Sequence, residues 1–313
     1  MKKTKSVVKY LLTLVVLVLI IFGGFVFLGG HQSGKQEMAS SARTSKKRSP
    51  IKKHIRLVAL GDSLTHGVGD TTGRGGYVYL IKKKIQKQYP AHVSTSNYGK
   101  TGDRTDQIEK RLKQQKTMQN KLRRADVITL TAGGNDLMQV MENNMEYLAT
   151  DNLQKIMPQN ENKYQQKLAS LLKTIRHYNS HAPIFFFSVY NPFYVYFPTL
   201  TEMQSYTNKW NSVAKQTSSK FNNVYFVNIC NQMSEGQYLH HSKKSLKANA
   251  NVDLNSVSNN KVEQILSDGK EKNNYLSSQD HFHPNLKGYR YMTSKLQESM
   301  NQHKKLWLMK GAK

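Results

Sequence analysis

The stretch RLVALGDSLTHGVGD, residues 56–70, is an apolar run that stops at Gly61-Asp62-Ser63. A short apolar run followed by small and polar residues is typical of a buried strand that leads into a turn and a helix. Asp and Ser at such a turn often accept hydrogen bonds from the free N–H groups of the helix. The tripeptide alone therefore has two interpretations, a helix N-cap or a turn that presents Ser63 as a nucleophile. It does not match the G-x-S-x-G elbow, because Thr65 occupies the place of the second glycine.

Apolar runs of strand length alternate with segments of helical period along the rest of the chain. The predicted strands are Ile55–Leu60, His92–Tyr98, Val127–Thr131, Ile184–Tyr190 and Val224–Ile229. The apolar face of a C-terminal helix is formed by Leu286, Tyr289, Met292, Leu296 and Met300. This alternation predicts an α/β fold, a three-layer α/β/α sandwich around a central parallel sheet of about five strands.

Three further loops carry residues suited to acyl transfer. Gly102 follows the second predicted strand, and its N–H can approach a substrate oxygen closely because it has no side chain. Asn135 follows the third strand and is either a helix cap or an amide donor to an oxyanion. Asp280 precedes His283 by three residues, so one tight turn can bring its carboxylate to the imidazole. Because functional loops lie at the carboxyl ends of parallel strands, we expect these groups to converge.

The Asp280 loop has two other interpretations. His281 competes with His283 as the base, but it directly follows Asp280 and so has the poorer geometry; we expect it to tolerate substitution. A metal site is the second alternative, with Asp280, His281 and His283 as ligands and His240 or His241 beyond them. Neither a Cys cluster nor an H-E-x-x-H motif supports that alternative.

Together these loops resemble the SGNH (GDSL) hydrolase family over most of residues 55–302. The matching blocks are Gly61-Asp62-Ser63-Leu64, Gly102 within Thr-Gly-Asp, Gly134-Asn135-Asp136, and Asp280-x-x-His283-Pro284. The resemblance implies a flavodoxin-like sandwich, with Ser63 as nucleophile, His283 as base and Asp280 as its orienting carboxylate. It also implies an oxyanion hole formed by Ser63, Gly102 and Asn135, and no metal or organic cofactor.

Residues 1–30 have the composition of a membrane anchor. Four lysines precede Tyr10–Leu28, in which Thr13 is the only clearly polar side chain. At about 1.5 Å per residue this stretch comes close to the roughly 30 Å hydrocarbon core of a bilayer. It is longer than the core of a signal peptide, and no convincing A-x-A site follows it. We expect a single-pass anchor with the remaining chain on the extracellular face of the cell membrane, or secretion if the anchor is cleaved.

The net charge of the chain is strongly positive and is distributed over three segments. The whole chain carries +27, of which residues 1–30 carry +4 and residues 31–54 carry +6, so +17 remains on residues 55–313. Residues 31–54 are rich in Ser, Lys and Arg and predict a flexible basic stalk, followed by a hydrolase domain at 55–313. The stalk is either a plain spacer or a contact for anionic wall polymer or lipid headgroups. No nucleic-acid motif is present, and the single Cys230 is expected in the core.

The predicted function is hydrolysis of an acyl or acetyl ester of a lipid or cell-envelope glycan through an acyl-enzyme. Transfer of the acyl group to another alcohol stays open, since the covalent half-reaction is shared. A non-catalytic basic protein that binds the cell wall is the other alternative. The complete set of Ser63, Gly102, Asn135, Asp280 and His283 argues against it, because a binding protein needs no such set.

Two stretches are longer than a minimal α/β unit requires. Residues 138–163 begin with apolar side chains that form either a core-facing helix or an adaptable acyl wall: Met138, Met141, Met145, Tyr147 and Leu148. A methionine wall would make activity rise with acyl length. Residues 232–279 are polar and rich in Asn and Ser, and they form either a lid or a disordered insertion.

Overall fold

The apolar run before Ser63 forms strand β1, His54–Gly61, and its last five residues are all buried. Alternate side chains of β1 enter different cores. Leu57 and Ala59 pack on one side of the sheet, whereas Val58 and Leu60 pack on the other. A strand without a solvent-facing side is expected at the centre of a parallel sheet that helices cover on both faces.

Four more strands complete the sheet: β2 His92–Gly99, β3 Val127–Thr131, β4 Ile184–Phe187 and β5 Val224–Val227. All neighbours are parallel, and the strand order is β2-β1-β3-β4-β5. This confirms the predicted α/β fold and its five-stranded parallel sheet. The order reverses between β1 and β3, so the loops after these two strands diverge around a crevice at the carboxyl edge.

Ten helices connect or cover the strands in the part of the chain that the structure describes: α1 Ser63–His66, α2 Gly76–Gln88, α3 Thr105–Gln114, α4 Lys116–Arg123, α5 Gly134–Glu142, α6 Asn152–Tyr178, α7 Thr201–Ser218, α8 Cys230–Glu235, α9 Leu286–Gln302 and α10 Lys304–Trp307. A 3₁₀ turn spans Gly236–Tyr238. Helices α3 to α7 supply side chains to one core, and α2, α9 and α10 supply the other.

Two predicted strands end earlier than the apolar pattern indicates. β4 ends at Phe187 rather than Tyr190, because the Asn211 side chain takes both backbone groups of Val189, its N–H and its C=O, at 2.9 Å each. β5 ends at Val227 and is only partly buried, as an edge strand with one neighbour. Cys230 therefore begins α8 instead of extending a strand, and it is buried as expected.

The computed structural model describes residues 50–144, 152–198, 201–241, 246 and 271–311. The predicted anchor and residues 31–49 of the predicted stalk lie outside them. Within the described residues, no helix has the length and apolar character needed to cross a membrane. The end of the predicted stalk belongs to the folded unit: Lys52 N donates to Leu308 O at 2.8 Å, and Lys310 N donates to Pro50 O at 2.9 Å.

Asp126 joins this amino-terminal segment to the sheet. Its carboxylate accepts from Lys52 Nζ at 2.8 Å and from both Nε and the backbone N of Arg56 at 2.9 Å. Burial acts to raise the pKa of Asp126, but the hydrogen bonds from Arg56 and Lys52 outweigh it and hold the pKa below its ordinary value. The ionised carboxylate therefore stabilises the folded state.

We predict that Asp126→Asn lowers the free energy of unfolding at pH 7 by about 1–3 kcal/mol, because two cations lose their partner. The contribution is complete above the unfolded pKa of about 4 and is lost as pH falls through the lower folded pKa. Chemical denaturation should therefore show the difference between variant and parent shrinking toward about pH 3. As a control, Glu298→Gln removes an exposed ion pair with Lys295 and should change stability by less than about 0.5 kcal/mol. An equal effect of both substitutions would contradict the role of Asp126.

Candidate active site

The turn after β1 separates the capping role from Ser63. Asp62 is the N-cap of α1, and its Oδ1 accepts from Leu64 N at 3.0 Å. Ser63 is the first helical residue, so its hydroxyl is not used as a cap. Both residues are 4 % exposed. Of the two interpretations of this turn, the N-cap role thus falls to Asp62, and Ser63 Oγ is directed elsewhere.

A network of buried hydroxyl groups supports the turn that carries Asp62 and Ser63. Thr131 Oγ1 donates to Asp62 Oδ1 at 2.7 Å and lies 2.8 Å from Thr65 Oγ1, which lies 2.8 Å from Tyr77 OH. Tyr77 OH in turn lies 3.1 Å from Thr129 Oγ1. Burial raises the pKa of Asp62, although hydrogen bonds from Thr131 and Leu64 oppose the shift. Four hydroxyl side chains and the Asp62 carboxylate therefore hold the turn from β1 to α1 against β3.

Ser63, His283 and Asp280 form one hydrogen-bonded chain. Ser63 Oγ lies 2.8 Å from His283 Nε2, and His283 Nδ1 lies 2.7 Å from Asp280 Oδ2. Asp280 Oδ1 also accepts from the backbone N–H groups of Phe282 and His283, at 3.0 and 2.9 Å. Burial acts to raise the pKa of Asp280, but the bonds from His283 and Phe282 prevail and lower it to about 2. The carboxylate is thus ionised at neutral pH beside the imidazole.

Of the predicted oxyanion donors, Asn135 shares a cavity with Ser63 and Gly102 does not. Asn135 lines a cavity with Ser63, and its Nδ2 donates one hydrogen to Asp103 O at 2.9 Å, which leaves the second hydrogen available. Gly102 adjoins Asp103 and is not among the lining residues of that cavity. It has φ +81° and open space where a Cβ would stand, so its backbone conformation, rather than crowding, requires glycine. Within the described residues, no group accepts from the N–H of Ser63 or Gly102.

Two further side chains support these loops, Arg111, which belongs to no sequence motif, and Asp136, which ends the Gly134-Asn135-Asp136 block. Arg111 pairs with Asp103 and donates from Nη2 to the carbonyls of Gly61 and Tyr98 at 3.2 and 3.1 Å. Asp136 accepts from both N and Oγ1 of Thr105 at 2.8 Å and so holds the start of α3. The three partners of Arg111 come from different segments, so no local sequence pattern indicates them.

His281 is not the partner of Ser63. It is buried with φ +55°, and its Nδ1 lies 2.6 Å from Glu271 Oε2 and 2.9 Å from Tyr196 OH. The alternative metal set is likewise not assembled, because His281 and His283 each face a different carboxylate. No group of three His, Cys, Asp or Glu side chains suited to a metal ion occurs among the described residues.

An apolar cavity of about 40 Å³ opens beside Ser63. Its apolar lining comes from the segments that follow β1 and β3, from β4 and the segment after it, and from the His283 loop: Leu64, Ala132, Phe187, Val189, Tyr190 and Phe282. Tyr190 OH donates to Phe282 O at 2.7 Å, which joins the two sides of this wall. The apolar run that continues past Phe187 predicts a strand as far as Tyr190, but Val189 and Tyr190 instead line this cavity.

Of the two alternatives for residues 138–163, the methionine wall beside the acyl group is wrong for the residues that the structure describes. Met141 is buried in the hydrophobic core between the sheet and α6, and Met138 does not line the cavity beside Ser63. Met145, Tyr147 and Leu148 lie outside the described residues, as do residues 247–270 of the stretch considered as a lid. The lid interpretation therefore stays a prediction.

Comparison with known proteins identifies relatives of this chain. Residues 59–291 match the model of the GDSL-like Lipase/Acylhydrolase family. The uncharacterized protein YpmR of Bacillus subtilis (strain 168) is 27 % identical over 265 residues, which cover 84 % of this chain and 88 % of YpmR. The spore germination lipase LipC of Bacillus licheniformis is 39 % identical over 88 residues, 28 % of this chain and 41 % of LipC.

Solved structures share the fold. The lipase Lip_vut3 from a goat rumen metagenome superposes with a TM-score of 0.56 at 24 % sequence identity, covering 78 % of this chain and 97 % of that one. At this identity the likeness concerns the fold alone, whereas the family match spans β1 to α9 and includes Ser63, Asn135 and His283. The chain therefore belongs to the GDSL-like lipase/acylhydrolase family and is an ester hydrolase.

Proposed function

We propose that the protein hydrolyses a short-chain acyl ester through a Ser63-His283-Asp280 triad and an acyl-enzyme intermediate. The observation that carries the proposal is the hydrogen-bonded chain of 2.8 and 2.7 Å that joins the hydroxyl, the imidazole and an ionised carboxylate. This is the arrangement in which a base, itself oriented by a third group, activates a serine.

In the first half-reaction Ser63 Oγ attacks the ester carbonyl carbon while His283 Nε2 takes the hydroxyl proton. The Asp280 carboxylate holds Nδ1 protonated and stabilises the imidazolium that forms. The tetrahedral intermediate then collapses, the C–O bond to the leaving group breaks, and His283 delivers its proton to the departing alcohol. The acyl group remains on Ser63 as an ester.

Negative charge develops on the carbonyl oxygen during this attack. The free N–H of Ser63 stands at the first turn of α1, where unpaired backbone donors point outward. The second amide hydrogen of Asn135 and the N–H of Gly102 are the other two donors that we assign to the oxyanion. In the second half-reaction His283 deprotonates water, which attacks the acyl carbon and releases the carboxylic acid and free Ser63.

The cavity size supports a small acyl group. The cavity of about 40 Å³ corresponds to the space of about three water molecules, which favours a small acyl group over a long one. We place the acyl group against Val189, Tyr190 and Phe282, with the alcohol portion directed to solvent. An acetyl ester of a cell-envelope glycan fits this arrangement better than a long-chain lipid. Transfer to an acceptor alcohol instead of water shares the same acyl-enzyme and is the second candidate.

For its place in the cell, we propose that residues 1–30 anchor the chain in the cell membrane and that the ester hydrolase works on the extracellular face. The support is the apolar stretch Tyr10–Leu28 behind four lysines. Protease treatment of intact cells should then remove the catalytic activity while leaving a cytoplasmic marker untouched. Activity that resists the protease until the cells are lysed would contradict this location.

We predict that Ser63→Ala and His283→Ala abolish turnover of p-nitrophenyl acetate, because each removes a reacting group. Asn135→Ala should lower kcat roughly 10²- to 10³-fold, the usual effect of one lost oxyanion donor. A fluorophosphonate probe should label Ser63 in the parent chain and in the control Ser94→Ala, whose exposed serine lies on β2. Full activity of the Ser63 variant would exclude the mechanism, and a folded parent that resists the probe would favour the non-catalytic wall-binding alternative.

We predict that kcat/KM falls at least about tenfold from acetyl to octanoyl p-nitrophenyl esters, because the longer chain exceeds the cavity. Val189→Ala should reduce this preference, since Val189 lines the cavity and its loss makes room. Val213→Ala on α7 is the matched control and should leave the preference unchanged. Activity that rises with chain length in the parent enzyme would overturn the small acyl assignment.

His281 leads to a prediction opposite to the tolerance expected from the sequence. Its replacement by Ala removes the side chain that hydrogen-bonds the Glu271 carboxylate at 2.6 Å, and leaving such a buried acceptor without its partner costs about 1–3 kcal/mol. Thermal unfolding should therefore show a clearly lower Tm, while turnover by the folded fraction persists because His281 does not contact Ser63. The double substitution Glu271→Gln/His281→Gln should recover much of the lost stability; a single variant as stable as the parent would refute the role of this pair.

A further inference from the structure

Positive charge is concentrated at the end of the sheet opposite Ser63. The eight residues of β1, at about 3.3 Å each, put roughly 26 Å between the two edges. Exposed basic side chains lie on the segments that enter β1, β2, β3 and β5 and on the C-terminal segment that packs beside Pro50: Lys53, Lys87, Arg123, Arg124, Lys220, Lys304, Lys305 and Lys310. We call these eight residues the basic platform.

The basic platform has almost no compensating acid. Asp126 is the only carboxylate on the described segments that enter the strands, and it is 7 % exposed and occupied by Lys52 and Arg56. No platform residue forms an ion pair with a carboxylate in the described ranges. The opposite edge carries both signs: Asp62, Asp70, Asp103, Asp136 and Asp280 lie there together with Arg74, Lys100 and Arg104. The excess of basic over acidic side chains is therefore greatest at the edge opposite Ser63.

We propose that the basic platform docks on an anionic lipid headgroup surface and thereby holds the Ser63 edge away from the bilayer. The chain enters the folded unit at this same end, where Pro50 O accepts from Lys310 N at 2.9 Å. The 49 residues before Pro50 include the apolar stretch Tyr10–Leu28, which is the reason to choose a lipid surface over a soluble polyanion. The inference rests on the proposed membrane attachment and is independent of the proposed chemistry.

The proposed contact is electrostatic, has no fixed geometry and is weakened by salt. Lysine ammonium groups on flexible stems act as point charges and suit a surface of phosphates without fixed geometry. Attraction to anionic lipid decays within a Debye length, about 10 Å at 0.1 M salt. Ser63, roughly 26 Å away along β1, lies beyond this range. Docking therefore orients the molecule without altering the reacting groups.

The test uses the full chain in vesicles of phosphatidylcholine alone or mixed with phosphatidylglycerol. A fluorophore on Gln302→Cys, at the exposed end of α9 beside Lys304, reports contact with a lipid that carries a nitroxide quencher on its headgroup. Cys230 is buried and stays unlabelled. We expect quenching on phosphatidylglycerol vesicles at low salt, and its loss at about 1 M salt, where the Debye length is about 3 Å.

The platform variant Lys53→Gln/Arg124→Gln/Lys304→Gln/Lys305→Gln should weaken the quenched state at least tenfold. The control Lys83→Gln/Lys110→Gln/Lys163→Gln/Lys209→Gln removes the same charge from helix surfaces and should behave as the parent. Equal quenching on both lipids, or equal behaviour of the two variants, overturns the proposal. So does full loss of the quenching when soluble polyglycerol phosphate is added at low salt while the chain stays on the vesicles, which would assign the platform to a wall polymer. Turnover of p-nitrophenyl acetate should be the same in both variants, so a failure here is distinct from a failure of the triad.

Discussion

The buried carboxylate of Asp62 is the group on which the rest of the site depends. It caps α1, accepts from Thr131 at the end of β3, and so ties the two central strands together at the residue before Ser63. Burial makes such a carboxylate expensive unless its oxygens find donors, and here they do. The N–H and Oγ of Ser63 are left free as a result, one at a helix start and the other toward His283.

The histidine side of the site is held by different means. The loop that carries Asp280 and His283 lies outside the parallel sheet and is held by backbone bonds, such as Ser277 N to His283 O at 2.8 Å, and by side-chain contacts. Tyr190 OH donates to Phe282 O, and His281 Nδ1 is hydrogen-bonded to Glu271 Oε2 in the segment before the loop. These contacts bring together residues 220 positions apart in the chain, Ser63 and His283, at 2.8 Å. The triad geometry thus depends on the β4 segment and on the segment before Asp280, neither of which reacts.

Charge and chemistry are arranged along one axis of the molecule. The carboxyl edge holds the carboxylates that cap helices or orient His283, whereas the amino edge is almost uniformly basic. In a parallel sheet every loop that leaves a strand lies at one edge and every loop that enters lies at the other. A bias in loop composition therefore becomes an asymmetric charge distribution, which separates a surface suited to anionic partners from the site of ester cleavage.

Hydrophobic period and turn residues are local properties, so they were enough to predict the α/β fold, the five strands and the four loops that hold Ser63, Gly102, Asn135, Asp280 and His283. Three features could not be predicted in this way: Asp62 rather than Ser63 caps α1, His281 pairs with Glu271, and Val189 leaves the sheet to line a small cavity. These features depend on which side chains from distant segments lie within hydrogen-bond distance of a buried donor or acceptor. Tertiary packing determines such partners, and they cannot be predicted from residue spacing along the chain.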